Sequence, residues 1–344
     1  MSTPVLRISR GVFRRNIAAV RERLGASQLM LVMKDDAYGH GLDWAVPAAE
    51  AAGVTWFGSY DIPTALRIRR LTTRRVYAWA TSDVDEVEAA VRAGIELGVG
   101  SADYLHEVID AAQRLATTVG VHLKVDTGLH RNGFRPEEWP QALRIARDAE
   151  QSGPVRIVGV WSHLAEASDQ EDDAAHQVFL TAVQQLTDAG GTPEVLHLTA
   201  SAAAWWRPEL RGSLSRIGAF CYGIRSADGP ELEGLSLISS LVATVDAVEG
   251  DRVRIGLGAF HGLPSTLRGA RVITPGGART VIEISGDSSL IEGWPGAREG
   301  DEIIVFGPGT AGESDATALA ERIDTVGEEI LTRLTPAVRR VVGD

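Results

Sequence analysis

The chain has 344 residues, of which 44% are hydrophobic and 23% charged, as is typical of a soluble globular protein. Its 34 basic and 46 acidic side chains give a net charge of −12, which disfavours nucleic acid as a partner. No segment approaches the length of a membrane span, and the first residues contain no apolar signal core. We therefore expect a cytoplasmic protein without membrane contacts. The single cysteine, Cys221, excludes a disulfide framework and a cysteine metal site, and no metal site is predicted.

The chain up to about residue 228 alternates between helical and strand patterns. A first helix is predicted over Arg10–Leu24, where apolar residues recur at helical spacing. Eight short apolar runs follow, and they are Leu29–Met33, Val54–Ser59, Val76–Ala80, Ile95–Val99, Val119–Val125, Val155–Val160, Val195–Leu198 and Ile217–Tyr222. The helical segments between them are Thr64–Leu71, Val84–Ala93, Ala102–Ala116, Pro136–Ser152, Asp172–Ala189 and Ala202–Pro208. This alternation predicts an α/β fold, a parallel (β/α)8 barrel over residues 1–228.

A doubly wound open sheet would give a similar alternation of strands and helices. No G-x-G-x-x-G motif follows an early strand in this chain. A dinucleotide-binding fold therefore lacks its usual sequence support, and the barrel is the preferred interpretation.

The pattern changes after Ser226-Ala-Asp-Gly-Pro230. Strands are predicted at Leu235–Val248, Val253–Leu257, Arg271–Thr274, Arg279–Ile284 and Glu302–Phe306. The Pro275-Gly-Gly turn between two β-rich runs is typical of a hairpin, and a last helix is predicted over Ser314–Leu334. Residues 229–344 are therefore predicted to form a second, mainly β domain.

Lys34 follows the run Leu29–Met33 and opens the segment Lys34-Asp-Asp-Ala-Tyr-Gly-His-Gly41. Burying an ammonium at the end of a strand is costly unless the charge is used. In a (β/α)8 barrel this lysine would point at the mouth, where such barrels carry their chemistry. A desolvated lysine there can lose its proton and become a Schiff-base nucleophile. The alternative is a strand-edge lysine that reaches solvent.

Several segments, in chain order, resemble signatures of the alanine racemase family, the fold type III pyridoxal-phosphate enzymes. They are Lys34-Asp-Asp-Ala-Tyr-Gly-His-Gly41, Lys124-Val-Asp-Thr-Gly-Leu-His-Arg131-Asn-Gly-Phe, Ser162-His163-Leu-Ala, His197-Leu-Thr-Ala-Ser201-Ala, Ser215-Arg216-Ile-Gly218-Ala-Phe-Cys-Tyr-Gly, Gly286-Asp287-Ser and Gly300-Asp-Glu-Ile-Ile-Val-Phe-Gly. The resemblance spans nearly the whole chain. It implies pyridoxal 5'-phosphate as cofactor, an amino acid as the small-molecule substrate and a head-to-tail homodimer.

The resemblance also implies roles for the matched residues. Lys34 would bind the cofactor as a Schiff base and act as an acid/base on one face of the substrate Cα. The implied cofactor-binding residues are Lys34, Tyr38, His197, Ser201, Arg216, Gly218, Ala219 and Tyr222. The hydroxyls of Tyr38 and Ser201 would hold the phosphate, together with backbone N–H groups around Gly218 and Ala219.

Arg131 and Lys124 belong to one signature. Arg131 would bind the substrate carboxylate and the phenolic oxygen of the cofactor with its planar fork. Lys124 resembles the lysine that family members often carbamylate to hold this arginine. A simple ion pair of Lys124 is the alternative, and both interpretations stay open.

Arg216 resembles the arginine that faces the pyridine nitrogen of the cofactor. A permanent cation there keeps that nitrogen unprotonated, weakens the ring as an electron sink and favours quick reprotonation at Cα. Decarboxylases of the same fold have a carboxylate at this point, so Arg216 argues against that reaction. His197 and His163 would support Arg216 through hydrogen bonds.

The second proton-transfer group of the family is absent. In alanine racemases it is a tyrosine from the C-terminal domain of the partner subunit, but the last of the five tyrosines here is Tyr222. His261, the only histidine after His197, is one candidate replacement because an imidazole is a competent acid/base near neutral pH. The alternative for His261 is an exposed loop histidine, and His163 is the second candidate base.

Three functions are compatible with these residues. The first is a divergent racemase or epimerase that acts at the Cα of an amino acid. The second keeps the cofactor but uses Lys34 as the sole base for aldol cleavage, elimination or replacement. The third is a pyridoxal-phosphate-binding protein without turnover. It is disfavoured because binding alone does not require Lys34, Arg131 and Arg216 together.

Overall fold

The computed structural model describes residues 2–344. The strands are β1 (Val5–Ser9), β2 (Gln28–Val32), β3 (Trp56–Ser59), β4 (Arg75–Ala78), β5 (Glu96–Val99), β6 (Val119–Lys124), β7 (Val155–Trp161), β8 (Val195–His197), β9 (Leu214–Ile217), β10 (Ser239–Glu249), β11 (Arg252–Ile255), β12 (Arg271–Thr274), β13 (Gly277–Ile284), β14 (Ser289–Glu292), β15 (Glu302–Phe306) and β16 (Arg339–Gly343). The α-helices are Arg10–Leu24, Leu42–Ala51, Ile62–Leu71, Val84–Arg92, Ala102–Arg114, Trp139–Ser152, Asp169–Asp188, Ser201–Trp206, Ala316–Glu321 and Gly327–Thr332. Within the described residues, no helix is both long and apolar enough to cross a bilayer.

Strands β2 to β9 form one parallel sheet in the order β8-β7-β6-β5-β4-β3-β2-β9. Chain neighbours are also sheet neighbours, except where β9 pairs with β2. At the seam between β8 and β9, the N–H of Arg216 donates to the carbonyl of Thr199 at 3.1 Å. This bond joins β8 and β9, which are the two ends of the sheet. With the helices that connect the strands, the topology confirms the predicted (β/α)8 barrel.

The barrel strands are buried on both faces, as expected of parallel strands between an inner core and an outer layer of helices. All four residues of β3, β5 and β9 are buried. The connecting helices begin at polar caps, because Asp61, Ser101 and Ser168 each accept a hydrogen bond from a first-turn N–H. Local capping and strand burial therefore favour the same alternation that the sequence predicts.

The second sheet contains β1 and β10 to β16 and is mainly antiparallel, so the mainly β second domain is confirmed. Strand β1 pairs antiparallel with β10 and parallel with β16. Two compact units result: a β unit (the chain up to Val20, Asp35–Ala48 and Ala219–Asp344) and a barrel unit (Arg21–Lys34 and Ala49–Gly218). The units exchange segments along the chain, and the predicted division of the sequence at residue 228 stays a prediction.

Two predicted elements differ from the structure. The run Ile217–Tyr222 is not a strand, because β9 ends at Ile217 and Ala219–Tyr222 forms a 3-10 turn. The predicted helix Ser314–Leu334 is instead two short helices. Between them Asp324 has a φ of 53°, in the left-handed region that interrupts a helix. The chain then ends in β16, a strand whose partner β1 lies at the other end of the sequence.

Candidate cofactor and catalytic site

Lys34 lies at the carboxyl end of β2, where the chain leaves the strand through a left-handed turn. The lysine is half-buried. The φ angles that follow are 53° at Asp35, 54° at Asp36, 57° at Ala37 and 54° at Tyr38. Aspartate tolerates this region, but Ala37 and Tyr38 adopt it at a cost of roughly 1–2 kcal/mol each. Backbone strain of this kind is typical of functional sites.

Four cations and one histidine of the barrel unit form an electropositive cluster. Lys34 follows β2, Lys124 ends β6, His163 follows β7 and Arg216 lies in β9. The positive charges of these three cations and of Arg131 all act on His163. Burial first and these charges second lower the pKa of His163 to about 3, so its ring is neutral at pH 7. The structure thus brings together the barrel residues that the sequence predicts to be catalytic.

Lys34 and Lys124 are also the only two lysines of the chain. Apart from the eight histidines, every other basic side chain in the sequence is an arginine. Both lysines therefore belong to this cluster, and any chemistry that needs a primary amine on a side chain is confined to it.

Both terminal nitrogens of the Arg216 guanidinium form hydrogen bonds inside the barrel, and the residue is only 4% exposed. Nη1 donates to the carbonyl of His197 at 2.6 Å, and Nη2 donates to the carbonyls of Ser162 at 2.7 Å and Leu198 at 3.2 Å. Within the described residues no carboxylate forms an ion pair with it. Burial lowers the pKa of Arg216 to about 10, so it remains charged at pH 7. A buried cation without a carboxylate partner fits an electron-rich ligand.

Two imidazoles complete the surroundings of Arg216. Nη1 lies 3.0 Å from Nδ1 of His197, and Nη2 lies 3.2 Å from Nδ1 of His163. Because a guanidinium only donates, both Nδ1 atoms accept. Burial holds the pKa of His197 well below its ordinary value, so each neutral ring carries its proton on Nε2. The ring of His197 also stacks on Trp161, with 6° between the planes.

Lys124 lies beside the same tryptophan. Its Nζ is 4.7 Å from the ring centroid of Trp161, which is a cation–π distance. Burial and the charges of Arg131 and Arg216 lower the pKa of Lys124 to about 8. A larger fraction of its amine is therefore neutral near physiological pH than for an ordinary lysine.

The acid closest in sequence, Asp126, is already engaged elsewhere. Its carboxylate accepts from Nδ1 of His130 at 2.9 Å and from the N–H of Gly128 at 3.1 Å. In the part of the chain that the structure describes, no carboxylate pairs with Lys124. The ion-pair interpretation of Lys124 thus has no partner here, although the charge of Asp126 acts on the lysine from a distance.

The predicted phosphate-binding groups divide between the two units. In the barrel unit the N–H of Gly218 donates to Oγ of Ser201 at 3.3 Å, a long bond. In the β unit the rings of Tyr38 and Tyr222 pack with centroids 4.8 Å apart, and Ala219 is buried. The roles of all five residues in cofactor binding stay predictions.

Tyr222 is fully buried among other rings. Its centroid lies 5.2 Å from Phe13 and 5.5 Å from His40, and its hydroxyl has no hydrogen-bond partner in the described residues. Burial raises the pKa of both Tyr222 and Tyr38, and the charge of Glu328 raises that of Tyr38 further. These contacts pack Tyr222 into the β unit, and its role in cofactor binding stays a prediction.

His261 belongs to the β unit, in the turn Ala259–His261. Its Nδ1 accepts from the N–H of Gly258 at 3.1 Å, and its carbonyl accepts from the N–H of Thr335 at 3.1 Å. The lone pair of Nδ1 is therefore occupied by this backbone donor. The turn also holds Phe260, which is 74% exposed. The catalytic role of His261 stays a prediction.

Two buried residues that connect to His197 by successive hydrogen bonds are missing from the sequence-based set. Nε2 of His197 lies 2.8 Å from Nδ1 of His122, and Nε2 of His122 lies 2.8 Å from Oε2 of Glu96. A signal for His122 exists, because it lies two residues before Lys124 on β6 and so shares its face. Glu96 gives a similar signal as a carboxylate that opens a fully buried strand.

Comparisons with known proteins agree with this geometry. The family model described as alanine racemase, N-terminal domain, matches residues 8–226. An alanine racemase from Thermobifida fusca (strain YX) is 35% identical, over 95% of this chain and 94% of its own length. Two solved structures are similar over nearly the whole chain. The alanine racemase from Streptomyces coelicolor A3(2) has a TM-score of 0.93 and 30% identity, covering 99% of this chain and 98% of that one. The alanine racemase from D-cycloserine producing Streptomyces lavendulae has a TM-score of 0.93 and 28% identity, covering 100% and 98%.

Proposed function

Because the chain belongs to the alanine racemase family, we propose that it is a pyridoxal-phosphate-dependent enzyme that moves the proton at the Cα of a small amino acid, as a racemase or epimerase. Alanine racemases use pyridoxal 5'-phosphate, which when bound withdraws electrons from the Cα–H bond and so acidifies it. The barrel cluster fits this group, since four cations stand together and Arg216 has no carboxylate partner in the described residues. A phosphate, a phenolate and a substrate carboxylate would supply the missing negative charge.

Each barrel residue has a separate task in this proposal. Lys34 holds the cofactor and exchanges the Cα proton on one face of the substrate. Arg131 binds the substrate carboxylate with its planar fork. Ser201 and the N–H of Gly218 donate hydrogen bonds to the phosphate. Their bond to each other is long, at 3.3 Å, and is given up for this contact. Tyr38 and the N–H of Ala219 contribute further donors.

The observation that carries the proposal is the setting of Arg216. Carbonyls and two neutral imidazoles fix its donors, and its charge persists at pH 7. A fixed donor toward the pyridine nitrogen prevents protonation of that atom and limits how far electrons are withdrawn. Quick return of a proton to Cα is favoured over reactions that need a long-lived carbanion.

A second candidate function, chemistry on one face with Lys34 as the sole base, is favoured by the hydrogen bonds of the two candidate histidines. Residues 223–344 contain no tyrosine. Nδ1 of His163 accepts from Arg216, and Nδ1 of His261 accepts from the N–H of Gly258. Both Nδ1 lone pairs are thus occupied by donors, so neither ring offers a free Nδ1 base in this arrangement.

Exchange in D2O separates these functions. The purified holoprotein is incubated with a panel of L- and D-amino acids, and Cα deuteration and chirality are measured separately. The racemase proposal predicts deuterium in both enantiomers and appearance of the antipode. Deuteration of one enantiomer with retained configuration would support the one-face alternative instead. Bound cofactor without any exchange would indicate a binding protein.

Two variants identify the second acid/base if racemisation occurs. His261→Ala and His163→Gln are assayed by Cα deuterium exchange from each enantiomer separately, because loss of the base on one face slows proton removal from one enantiomer while the other still exchanges. A loss of exchange from one enantiomer only, in one variant, would assign that residue. Unchanged rates in His261→Ala would exclude it.

We also propose a head-to-tail homodimer, which the family resemblance supports. The exposed Phe260 of the β unit is a candidate contact in it. Sedimentation equilibrium tests the assembly: a dimer is expected, and Phe260→Asp should weaken it. A monomer at all concentrations would contradict the proposal.

A further inference from the structure

A chain of four side chains crosses the barrel from Arg216 on β9 to Glu96 on β5. Nη1 of Arg216 lies 3.0 Å from Nδ1 of His197, and two 2.8 Å contacts continue through His122 to Oε2 of Glu96. His197 and His122 are fully buried, and Glu96 opens β5. We propose that His122 and Glu96 are positioning residues, which fix the proton arrangement of His197 and thereby hold Arg216 as a donor in one orientation.

Only one arrangement of protons satisfies every contact in this chain. Arg216 can only donate, so Nδ1 of His197 accepts and its Nε2 carries the proton. That proton is donated to Nδ1 of His122, whose own proton is then on Nε2 and is donated to Glu96. A carboxylate only accepts, so it ends the chain. Each bond therefore runs in the same direction, away from Arg216.

Glu96 is kept ionised by a second set of contacts. Its Oε1 accepts from Nε of Arg75 at 2.9 Å and from Nη2 of Arg75 at 2.6 Å. Arg75 is itself fixed over the ring of Trp56, at 3.8 Å from the centroid. Burial by itself would raise the pKa of Glu96, but the bonds from His122 and Arg75 lower it overall. The acceptor end of the chain is thus a permanent anion near neutral pH.

The same arrangement excludes proton conduction along the chain to Arg216. A proton delivered at Glu96 would move both imidazole protons by one position. The N–H then on Nδ1 of His197 would face the N–H of Arg216, and two donors in contact in a buried site are strongly unfavourable. The chain therefore orients Arg216 and does not carry protons to it.

In Glu96→Gln, His122 and Arg75 compete for the single amide oxygen as hydrogen-bond acceptor. The amide has one oxygen and one NH2 group, whereas the carboxylate accepts on both sides. If the amide oxygen stays on Arg75, the NH2 group faces Nε2 of His122, and both histidines must shift their protons to Nδ1. If the oxygen turns to His122, the NH2 group faces the donors of Arg75. The first choice reverses the proton arrangement and the second leaves Arg75 facing a donor, so either one is unfavourable, without a change in side-chain size.

The protonation of the rings is measured by 15N NMR of the histidine-labelled full-length protein, with His122 and His197 assigned by single substitution. In the wild type we expect both rings as neutral Nε2–H tautomers. Glu96→Gln should convert a measurable fraction to Nδ1–H. A wild-type ring that is charged, or that carries its proton on Nδ1, would overturn the proposal even if Glu96→Gln failed to fold.

Glu194→Gln is the matched control. Oε2 of Glu194 accepts from Nη1 of Arg75 at 2.7 Å, so it shares a partner with Glu96. Its carboxylate makes no bond to His122. We expect Glu194→Gln to retain both wild-type tautomers. Identical ring protonation in Glu96→Gln and Glu194→Gln would overturn the proposal.

The consequence for turnover rests on the proposed function. With cofactor bound, Glu96→Gln should lower kcat about tenfold relative to Glu194→Gln, with little change in KM, and should alter the cofactor absorbance. Changed tautomers with unchanged kcat and absorbance would overturn the positioning role. A wild type with the expected tautomers but no cofactor absorbance would contradict the proposed function and leave the proton arrangement intact.

Discussion

Nη2 of Arg216 lies 3.2 Å from Nδ1 of His163, so a permanent hydrogen-bond donor faces the lone pair of a neutral imidazole. A proton on that nitrogen would meet both an N–H group and a positive charge. Burial and the neighbouring cations accordingly lower the pKa of His163 to about 3. Near neutral pH, His163 acts as an acceptor for Arg216, and it has little capacity to remove a proton.

Acid should destabilise the folded chain through its buried histidines. The pKa of His163 is about 3 and that of His40 about 4, against an ordinary value of 6.5 in an unfolded chain. Below pH 6.5 the unfolded state therefore binds more protons, and the free energy of unfolding falls as the pH drops toward these folded-state values. The urea midpoint should decrease steadily over this range.

His163→Gln supplies the comparison, because glutamine keeps an acceptor for Arg216 but does not titrate. Its urea midpoint should depend less on pH than that of the wild type between pH 6.5 and pH 4. His106→Gln, at an exposed side chain, controls for the effect of the substitution itself. Equal slopes for His163→Gln and the wild type would rule out a neutral buried His163.

Arg216→Lys should destabilise the barrel although it conserves charge. A single ammonium cannot reach the carbonyls of Ser162 and Leu198 while it also contacts His197. Each buried acceptor left without a donor costs about 1–3 kcal/mol, so the free energy of unfolding should fall by about 2–4 kcal/mol. Urea denaturation measures the loss. Arg7→Lys, at a side chain 51% exposed, should change it by less than about 0.5 kcal/mol, and equal losses would refute the argument.

Lys124 is expected to take up carbon dioxide as a carbamate. Its pKa of about 8 leaves more reactive neutral amine than the ordinary value of 10.5. The negative carbamate would offset the charges of Arg131 and Arg216. With 13C-labelled bicarbonate, NMR should detect one carbamate signal that Lys124→Arg removes and Lys34→Arg retains. If the wild type gives no signal at any bicarbonate concentration, Lys124 is unmodified.

Gly223 and Gly234 separate two costs of replacing a glycine. Both lie in the left-handed region, with φ of 72° and 80°. A Cβ on Gly223 would lie 1.9 Å from the carbonyl oxygen of Ser236, whereas nothing lies within 4 Å of one on Gly234. Gly234→Ala should cost about 1 kcal/mol, and Gly223→Ala several times more because backbone must move. Similar urea midpoints for the two variants would contradict the close approach to Ser236.

Much of the barrel and of its mouth follows from local sequence. Strand β2 is a short apolar run, and Lys34 follows it at the edge where a parallel barrel carries its chemistry. The cation cluster is also accessible to prediction, since Arg131 and Arg216 stand in recognisable segments. These features depend on neighbours within a few residues.

Other features depend on contacts between distant parts of the chain. The pairing of β1 with β16 joins the two ends of the sequence, and no local pattern specifies it. Glu96 and His122 meet only because the barrel packs the inward faces of different strands against each other. Tyr222 packs on Phe13, although most of the barrel lies between these two residues in the sequence. This packing accounts for the buried position of Tyr222, whose hydroxyl has no hydrogen-bond partner in the described residues.

Borohydride reduction of the holoprotein, followed by mass spectrometry of its peptides, decides whether Lys34 holds the cofactor. The reduction fixes the cofactor on the amine that carries it, and the chain offers only two lysine side chains. We predict the pyridoxyl group on the peptide that contains Lys34, its loss in Lys34→Arg and its retention in Lys124→Arg. A pyridoxyl group on Lys124, or undiminished labelling of Lys34→Arg, would contradict the assignment of Lys34 as the cofactor lysine.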